Sequence, residues 1–339
     1  HQQMAGAEKL TQGRAGLLPR LNLTSAKTWY DSEITYQGAT PFAEGIREYD
    51  TREYGANLSQ PLYRKQNIAQ YLQGRAQSEL AEAQLAAART DLMLRVTESY
   101  FNVLLAQDTM ALAEAQLAAF AAEYEQAQAR FAAGAVAITE VYETQARRDL
   151  ATSQELAARN DLEAKKQELQ RLTSTEPGPL PRLTRELNAQ PPTPNDVGQW
   201  VDLAVATSPQ LKAQQKALEV AEREVEKARG AHLPTIDAVA GYTSNHSSGS
   251  MYTDVPSEMQ IKNAGIQVQL SLFEGGAMFS REREAVALRE KARDELVDAK
   301  RLLTQETRKT FLSVVHAVSQ IQALQQAVTS SENSLDAIR

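Results

Sequence analysis

The chain has 339 residues, no cysteine and a formal net charge of -7, with 42% hydrophobic residues and a mean hydropathy of -0.45. The lack of cysteine excludes disulfides, thiol catalysis and cysteine metal sites, and the acidic balance argues against nucleic acid, whose phosphates need a basic protein face. No run approaches the roughly 18 apolar residues of a membrane-spanning helix and no cleavable signal opens the sequence, so a helical membrane protein is not expected.

The sequence carries an internal duplication with a period of about 210 residues. Each copy reads in the same order, as a helix end, a strand, a polar loop, a second strand and a very long helix. The matching steps are Leu18-Pro19 with Leu233-Pro234 and Leu62-Tyr63 with Leu272-Phe273. We therefore predict two structural repeats, residues 1–194 and residues 195–339, the second of which is truncated.

In the first repeat, strands are predicted near residues 21–30 and 53–62. The second of these strands alternates apolar and polar side chains, as in a sheet with one apolar face. Its apolar positions are Tyr54, Ala56, Leu58 and Leu62, and its polar positions are Gly55, Asn57 and Ser59. The polar residues 31–50 between the two strands are expected to form a loop.

A very long helix is predicted over residues 62–133, where no proline occurs and Gly74 is the only glycine. An apolar heptad typical of a coiled coil repeats within it at Val96, Val103, Met110, Leu117, Tyr124 and Phe131. Many residues of the companion seam, three positions further on, are small and allow helices to approach closely. For this segment alone, an ordinary amphipathic bundle is the alternative.

The long helix is predicted to turn back at Gly134, because the heptads stop there and glycine adopts the backbone conformation that often ends a helix. A return helix is expected over residues 136–172. A non-helical connector is expected over residues 173–194. Its prolines are Pro177, Pro179, Pro181, Pro191, Pro192 and Pro194.

The second repeat is predicted to open with a helix over residues 196–230, capped near Asp196. The return helix and this helix together match the outgoing helix, which is roughly 105 Å long at about 1.5 Å per residue. Strands follow near residues 234–243 and 263–272. A last long helix is predicted over residues 277–339.

The four strands have about the length of a tilted span in a membrane β-barrel, and such spans are apolar outside and polar inside. A half-buried soluble sheet gives the same alternation, so the pattern alone does not decide between the two. Four strands cannot close a membrane barrel, whose smallest form has about eight, and open sheet edges are not tolerated in lipid. Strands that span a membrane would therefore belong to several chains, with the polar residues 31–50 and 243–262 as loops at the outer rim.

Strand pairs that follow a Leu-Pro step, the duplication, and a characteristic hairpin tip together resemble the TolC family of outer-membrane efflux proteins. The tip reads Phe131-Ala132-Ala133-Gly134-Ala135-Val136-Ala137-Ile138-Thr139-Glu140-Val141. The resemblance covers essentially the whole chain. It implies a mainly α fold with a β-barrel contribution, in which three chains supply four strands each to one twelve-stranded outer-membrane barrel. Long antiparallel helical hairpins would form an α-helical barrel in the periplasm.

The resemblance implies a trimeric exit channel of the bacterial outer membrane that exports drugs or polypeptides, as in efflux and type I secretion. Its implied partners are two further copies of the chain, a periplasmic adaptor protein, an inner-membrane pump and outer-membrane lipid, without nucleic acid. The alternative is a soluble periplasmic adaptor or a coiled-coil scaffold. An adaptor has one hairpin, whereas two strand pairs here each feed a long helix.

The resemblance also implies two sites at the tip. Ala133, Gly134 and Ala135 match the turn that the adaptor grasps, but the family's Val-Gly-Leu is Ala-Gly-Ala here, so the glycine carries over and the specificity does not. Thr139 and Glu140 match a Thr-Asp pair near the periplasmic entrance. The family's main acidic constriction lies in a second hairpin, whose tip would fall near position 344 by the period of about 210 residues, so both ends of the chain look truncated.

No catalytic, cofactor-binding or metal site is predicted. The histidines are His1, His232, His246 and His316, and none has another histidine or a carboxylate at ligand spacing in the sequence. Acidic pairs such as Glu222 and Glu226 lie among basic residues on a charged helix, which is typical of a solvated surface. Gly275-Gly276 lacks the spacing of a phosphate-binding loop and is expected to form a turn.

Overall fold

The computed structural model describes residues 1–38, 44–178, 180, 181 and 190–338. Its elements in chain order are α1 Gln2–Ala15, β1 Arg20–Ile34, β2 Gly45–Tyr63, α2 Lys65–Ala132, α3 Ile138–Thr173, α4 Val197–Thr207, α5 Pro209–Gly230, β3 Thr235–Ser247, β4 Ser257–Gln269 and α6 Ala277–Ile338. The chain divides into two compact units. The first consists of residues 1–86 and 193–313, and the second of residues 87–192 and 314–339.

The strands of the first unit form one antiparallel sheet in the order β1-β2-β3-β4. The β1–β2 ladder begins with Arg20 opposite Ser59 and runs without a shift. The β2–β3 ladder shifts its register between Pro61 and Tyr63, where proline has no N–H group to donate. The two strand pairs of the duplicated sequence therefore lie side by side in one sheet.

The strands are longer than predicted, with 15, 19, 13 and 13 residues. The prediction of loops over residues 31–50 and 243–262 was therefore wrong, because much of both segments is paired strand. Ion pairs between strands support the ladder at these polar positions, as where Lys27 Nζ lies 3.6 Å from an oxygen of Asp50. The predicted fourth strand, residues 263–272, was also wrong at its end, because β4 stops at Gln269.

Glycines bring α1 and α2 close together in the first unit. A Cβ atom added at Gly74 of α2 would lie 2.4 Å from the Lys9 carbonyl oxygen of α1, and one added at Gly13 would lie 2.9 Å from the Gln70 carbonyl oxygen. Any larger side chain would push the two backbones apart. The single glycine inside the long helix is thus a packing position, which explains why this helix tolerates it.

Polar contacts hold α5 against the start of α2. Lys216 Nζ donates a hydrogen bond to Glu79, and Gln73 Nε2 donates to Glu224 at 2.6 Å. Hydrogen bonds from Lys216, and then from Arg75, hold the pKa of the Glu79 carboxyl below its ordinary value of 4.5. This part of the bundle is therefore joined by charged groups as well as by small apolar ones.

The prediction of one helix over residues 196–230 was wrong, because α4 and α5 are separate helices. Asp196 caps α4 as predicted, since its side chain accepts a hydrogen bond from the Gly198 N–H at 2.8 Å. Pro209 has no N–H group and its ring opposes helix continuation, so α4 ends before it. Ser208 then caps α5, and its hydroxyl accepts a hydrogen bond from the Leu211 N–H at 3.3 Å.

In the second unit, the heptad of α2 supplies buried side chains. Val103 is fully buried and Met110 is 9% exposed, as the heptad predicts. Small residues of the companion seam are buried with them, namely Ser99, Ala106, Ala113 and Ala127. Phe131 departs from the pattern at 43% exposed, because it lies in the last turn of the helix.

The helix α3 ends at Thr173, and the backbone of Ser174 is left-handed with φ of 57°. The predicted connector, residues 173–194, includes residues 179 and 182–189, which lie outside the described residues. Its description as a non-helical segment stays a prediction there.

Candidate functional site

The turn at Gly134 is a Schellman motif built by the backbone alone. The Gly134 N–H donates to the Phe131 carbonyl at 2.8 Å, and the Ala135 N–H donates to the Arg130 carbonyl at 2.9 Å. Gly134 has φ of +76°, a conformation that glycine adopts at no steric expense and that L side chains rarely adopt. The chain reverses here and starts α3 four residues later.

The surface around the tip is small and apolar. Ala133, Gly134 and Ala135 are all exposed, and no described atom would lie within 4 Å of a Cβ at Gly134. Larger apolar side chains flank the turn, with Phe131 43%, Ile138 39% and Tyr142 63% exposed. Apolar surface of this kind, rimmed by polar residues, is typical of contact with another protein.

Two ion pairs join α2 to α3 just behind the tip. Arg130 Nη1 lies 3.3 Å from Glu140 Oε1, and Arg147 Nη1 lies 3.5 Å from Glu123 Oε1. They border a polar groove of about 330 Å³. Its lining residues are Glu123, Gln126, Ala127, Arg130, Glu140, Glu143, Thr144 and Arg147.

The structure places both residues of the predicted entrance pair in the first turn of α3. Glu140 is favourable in this first turn because its carboxylate interacts with the positive end of the helix dipole. The N-cap residue, Ala137, has no side chain that could cap the helix. Thr139 is exposed. The sequence did not reveal that Glu140 pairs with Arg130 across the hairpin, since ten residues separate them and no helical spacing relates them.

The two faces of the sheet differ in polarity. The apolar face carries Leu21, Leu23, Tyr54, Ala56, Leu58, Ile236, Ala238, Ala240, Ile266 and Val268. The polar face carries Asn22, Thr24, Asn57, Ser59, Asp237, Thr243, Asn263 and Gln267. Apolar-face side chains are open to the surroundings, with Leu23 78% and Ile266 70% exposed. Such a face is stable only in an apolar environment, as on the outside of a membrane barrel.

Toward the β1–β2 turn, the apolar face ends in a cluster of aromatic and charged side chains. Trp29 is 71% exposed, and Lys27 Nζ lies 4.7 Å from the centre of its ring. Asp50 lies within 3.6 Å of Lys27 and within 3.5 Å of Arg52. Tryptophan beside solvated charges is typical of the boundary between membrane and water.

The two edges of the sheet are different strands. Within the described ranges, β1 pairs only with β2, and β4 pairs only with β3. Every residue of β4 is exposed. Both edges therefore present N–H and C=O groups that can pair with another strand.

An ion pair between a half-buried guanidinium and a buried carboxylate ties the start of α2 to β3. The Arg64 guanidinium donates two hydrogen bonds to Asp237, one of them from Nε at 2.7 Å, and the Asp237 side chain is 7% exposed. The hydrogen bond to Asp237 raises the pKa of Arg64 above its ordinary value. This pair is not apparent in the sequence, because 173 residues separate its members.

Among the described residues, no group of three or more histidine or acidic side chains could hold a metal ion. In the same residues, no helix has a stretch apolar enough to cross a membrane.

The sequence matches the family described as outer membrane efflux protein over residues 1–175 and 200–339. It is 33% identical to the alkaline protease secretion protein AprF of Pseudomonas aeruginosa, over 99% of this chain and 70% of that protein. It is 30% identical to the proteases secretion protein PrtF of Dickeya chrysanthemi, over 99% of this chain and 73% of that protein. It is 29% identical to the outer membrane protein TolC of Escherichia coli, over 98% of this chain and 68% of that protein.

The fold is similar to those of solved outer-membrane proteins. The Campylobacter jejuni CmeC outer membrane channel matches with a TM-score of 0.77 and 17% identity, over 99% of this chain and 70% of that chain. The outer membrane protein VceC of Vibrio cholerae matches with a TM-score of 0.70 and 19% identity, over 99% of this chain and 77% of that chain. The family match, the fold and the two-faced sheet agree, and the chain belongs to the outer membrane efflux protein family as a subunit of an export channel in the bacterial outer membrane.

Proposed function

We propose that three copies of this chain close one twelve-stranded barrel, with β1 of each copy paired to β4 of the next. The observation that carries the proposal is a sheet with two unlike, unpaired edges and one exposed apolar face. A membrane barrel must satisfy every main-chain group and leave no edge in lipid. Pairing β1 with β4 repeats the same contact from one subunit to the next. The ring closes when the rotations between successive subunits add up to a full turn.

The apolar face would contact lipid and the polar face would line the lumen. The two strand pairs then correspond to two structural repeats, residues 1–194 and 195–339. Each repeat would feed its long helix into a helical tunnel in the periplasm.

We further propose that the tip at Ala133, Gly134 and Ala135 docks onto a periplasmic adaptor, which connects the channel to an inner-membrane pump. The exposed backbone turn supports this, since small side chains allow a partner to approach the main chain closely. The names of AprF and PrtF connect those relatives to protease secretion. The cargo that we propose for this chain is accordingly a secreted polypeptide.

Thr139 and Glu140 would lie near the periplasmic entrance. Three copies of a carboxylate around a narrow opening favour cations. Single channels with Glu140→Gln should then show a lower cation preference than wild type. Unchanged selectivity would show that Glu140, held by Arg130, lies outside the conducting path.

The mass of the full-length protein in mild detergent tests the assembly. We expect three chains per particle. A folded, stable monomer would contradict the shared barrel. The export role is tested separately, by restoring secretion of a substrate protease in cells that lack their own outer-membrane channel.

A further inference from the structure

Three asparagines lie in one row across the polar face of the sheet. Asn22 of β1 is opposite Asn57 of β2, Asn57 is opposite Gly241 of β3, and Gly241 is opposite Asn263 of β4. Each of the four strands thus contributes one residue to the row. The side chains that reach into the space above it are all carboxamides.

The three carboxamides are open for binding. Asn22, Asn57 and Asn263 are exposed, and within the described part of the chain no hydrogen bond occupies their side chains. Two of them point toward each other over Gly241, since a Cβ there would lie 3.0 Å from Asn57 Oδ1 and 2.5 Å from Asn263 Oδ1. The carboxamides do not hydrogen-bond to each other. Their donor and acceptor groups are therefore available to a ligand.

Glycines accompany the asparagines on the same face. Gly265, Gly241 and Gly55 occupy three consecutive rows of the polar face, one in each row. Glycine weakens a strand interior, and its presence there often marks the close approach of a ligand or another backbone. At Gly265 no described atom would lie within 4 Å of an added Cβ, so open space and not local packing adjoins it.

The surroundings of the row carry few charges. On the polar face, the next row toward the turns contains Thr24, Gly55, Thr243 and Ile261. The row on the other side contains Arg20, Ser59, Val239 and Gly265. A ligand at the asparagine row therefore meets mostly neutral side chains, and the one charge in the two neighbouring rows is the guanidinium of Arg20.

We propose that Asn22, Asn57 and Asn263 form a neutral amide belt that hydrogen-bonds the backbone of an extended polypeptide in transit. The proposal rests on the export channel proposed above, in which the polar face lines the lumen. A carboxamide donates and accepts hydrogen bonds, as a peptide group does, so the belt matches any sequence of cargo. Its neutrality lets side chains of either charge pass, and the glycines leave room for them.

Single-channel recording of the full-length protein in planar lipid bilayers tests the belt. The probe is an uncharged glycine-serine peptide of about 30 residues, added on the extracellular side, and the measured quantity is the dwell time of the blockades that it causes. With Asn22→Val, Asn57→Val and Asn263→Val combined, we expect this dwell time to fall at least about tenfold, the factor given by one or two lost hydrogen bonds. Wild-type dwell times in this variant would overturn the proposal.

The matched control changes the neighbouring residues on the opposite face. Ala56→Val and Ala264→Val add the same side chain one residue away, on the lipid side, and should leave dwell time and conductance unchanged. If the triple variant forms no channels, Asn57→Asp with Asn263→Asp keeps the side-chain shape and adds negative charge. This variant should shift the reversal potential toward cation selectivity, and an unshifted potential would overturn the proposal.

The result also separates the belt from the channel on which it depends. If the belt fails, wild type still conducts and the dwell times are insensitive to the asparagines. If the channel itself fails, wild-type protein gives no conductance.

Discussion

Gly134 is the residue on which the hairpin tip most depends. Its φ of +76° lies in the left-handed region, and the two hydrogen bonds of the Schellman motif hold it there. No described neighbour limits its space, so backbone strain alone restricts the residue type. A tip made in this way exposes main chain with only small side chains to cover it.

We expect Gly134→Val to abolish export while leaving the barrel and the trimer intact. A β-branched residue at positive φ introduces strain of about 1 to 3 kcal/mol, which the isolated turn relieves by changing shape. The measurement is substrate secretion together with the mass of the particle in detergent. Ala137→Val is the control, because Ala137 is exposed, lies outside the docking tip and has an ordinary φ of -79°, so export should continue. Full export by Gly134→Val would remove the tip from the mechanism.

The Glu79 carboxylate should contribute to the free energy of unfolding in a way that depends on pH. Its lowered pKa, caused first by Lys216 and then by Arg75, gives stability that is present above the unfolded pKa and lost as pH falls through the folded one. Glu79→Gln should therefore destabilise the protein by less than about 1 kcal/mol near neutral pH, because both partners are one-third exposed and screened by water. In thermal unfolding, the difference from wild type should shrink as the pH falls below 4.5, the ordinary pKa of this carboxyl, and a difference that stays constant would contradict this assignment.

The element that most depends on one side chain is α2, where Val103 is fully buried in the seam. Val103→Ala removes two methyl groups, so we expect a loss of about 2 kcal/mol from apolar transfer and the cavity that remains. Leu117→Ala should have a smaller effect, because Leu117 is only half-buried. Denaturant unfolding compares the two. A loss below about half a kcal/mol for Val103→Ala would mean that water reaches this face.

Some boundaries of the helices and strands can be predicted from local sequence patterns, and others cannot. The heptad through Val103 and Met110 and the turn at Gly134 after α2 follow from local rules, so the sequence predicts them. The break at Pro209 is also local, and the prediction missed it because the apolar pattern continues across it. The strand lengths could not be predicted in this way, since a polar residue such as Asp50 is recognised as part of a strand only through its contact with Lys27 on the neighbouring strand.

In the candidate site, too, some features can be predicted from the sequence and others cannot. The tip glycine and the entrance pair are contiguous in sequence, and a motif of eleven residues reveals them. The Arg130–Glu140 pair and the bidentate Arg64–Asp237 pair exist only after the chain has folded back, 10 and 173 residues apart. The asparagine row depends on the register of three ladders, which alternation within one strand does not fix.

At the scale of the whole molecule, α2 has a second apolar stripe. Its exposed members are Leu94, Phe101, Leu105 and Leu112, which are 66%, 51%, 66% and 59% exposed. At 3.6 residues per turn they fall on one line of the helix, opposite the buried seam with Val103. A helix with two opposed apolar stripes requires a neighbour on each side.

We expect Leu105→Asp to dissociate the trimer in mild detergent. An unpaired carboxylate buried between helices is unfavourable by several kcal/mol, whereas the same residue on a free surface is harmless. Leu105→Met, which keeps an apolar side chain of similar volume at the same position, should leave the particle at three chains. A trimer unaffected by Leu105→Asp would show that this stripe faces water.

The unlike edges of the sheet have a consequence for genetics. Because each subunit would offer β1 on one side and β4 on the other, every ring needs intact edges from all three of its members. When normal and Gly134→Val alleles are expressed equally and their products mix at random, only about one ring in eight contains normal subunits alone. If every ring needs three normal tips, we expect a tip allele to be dominant over its normal counterpart. We expect an allele in which neither edge strand can pair to be excluded from the rings and therefore recessive.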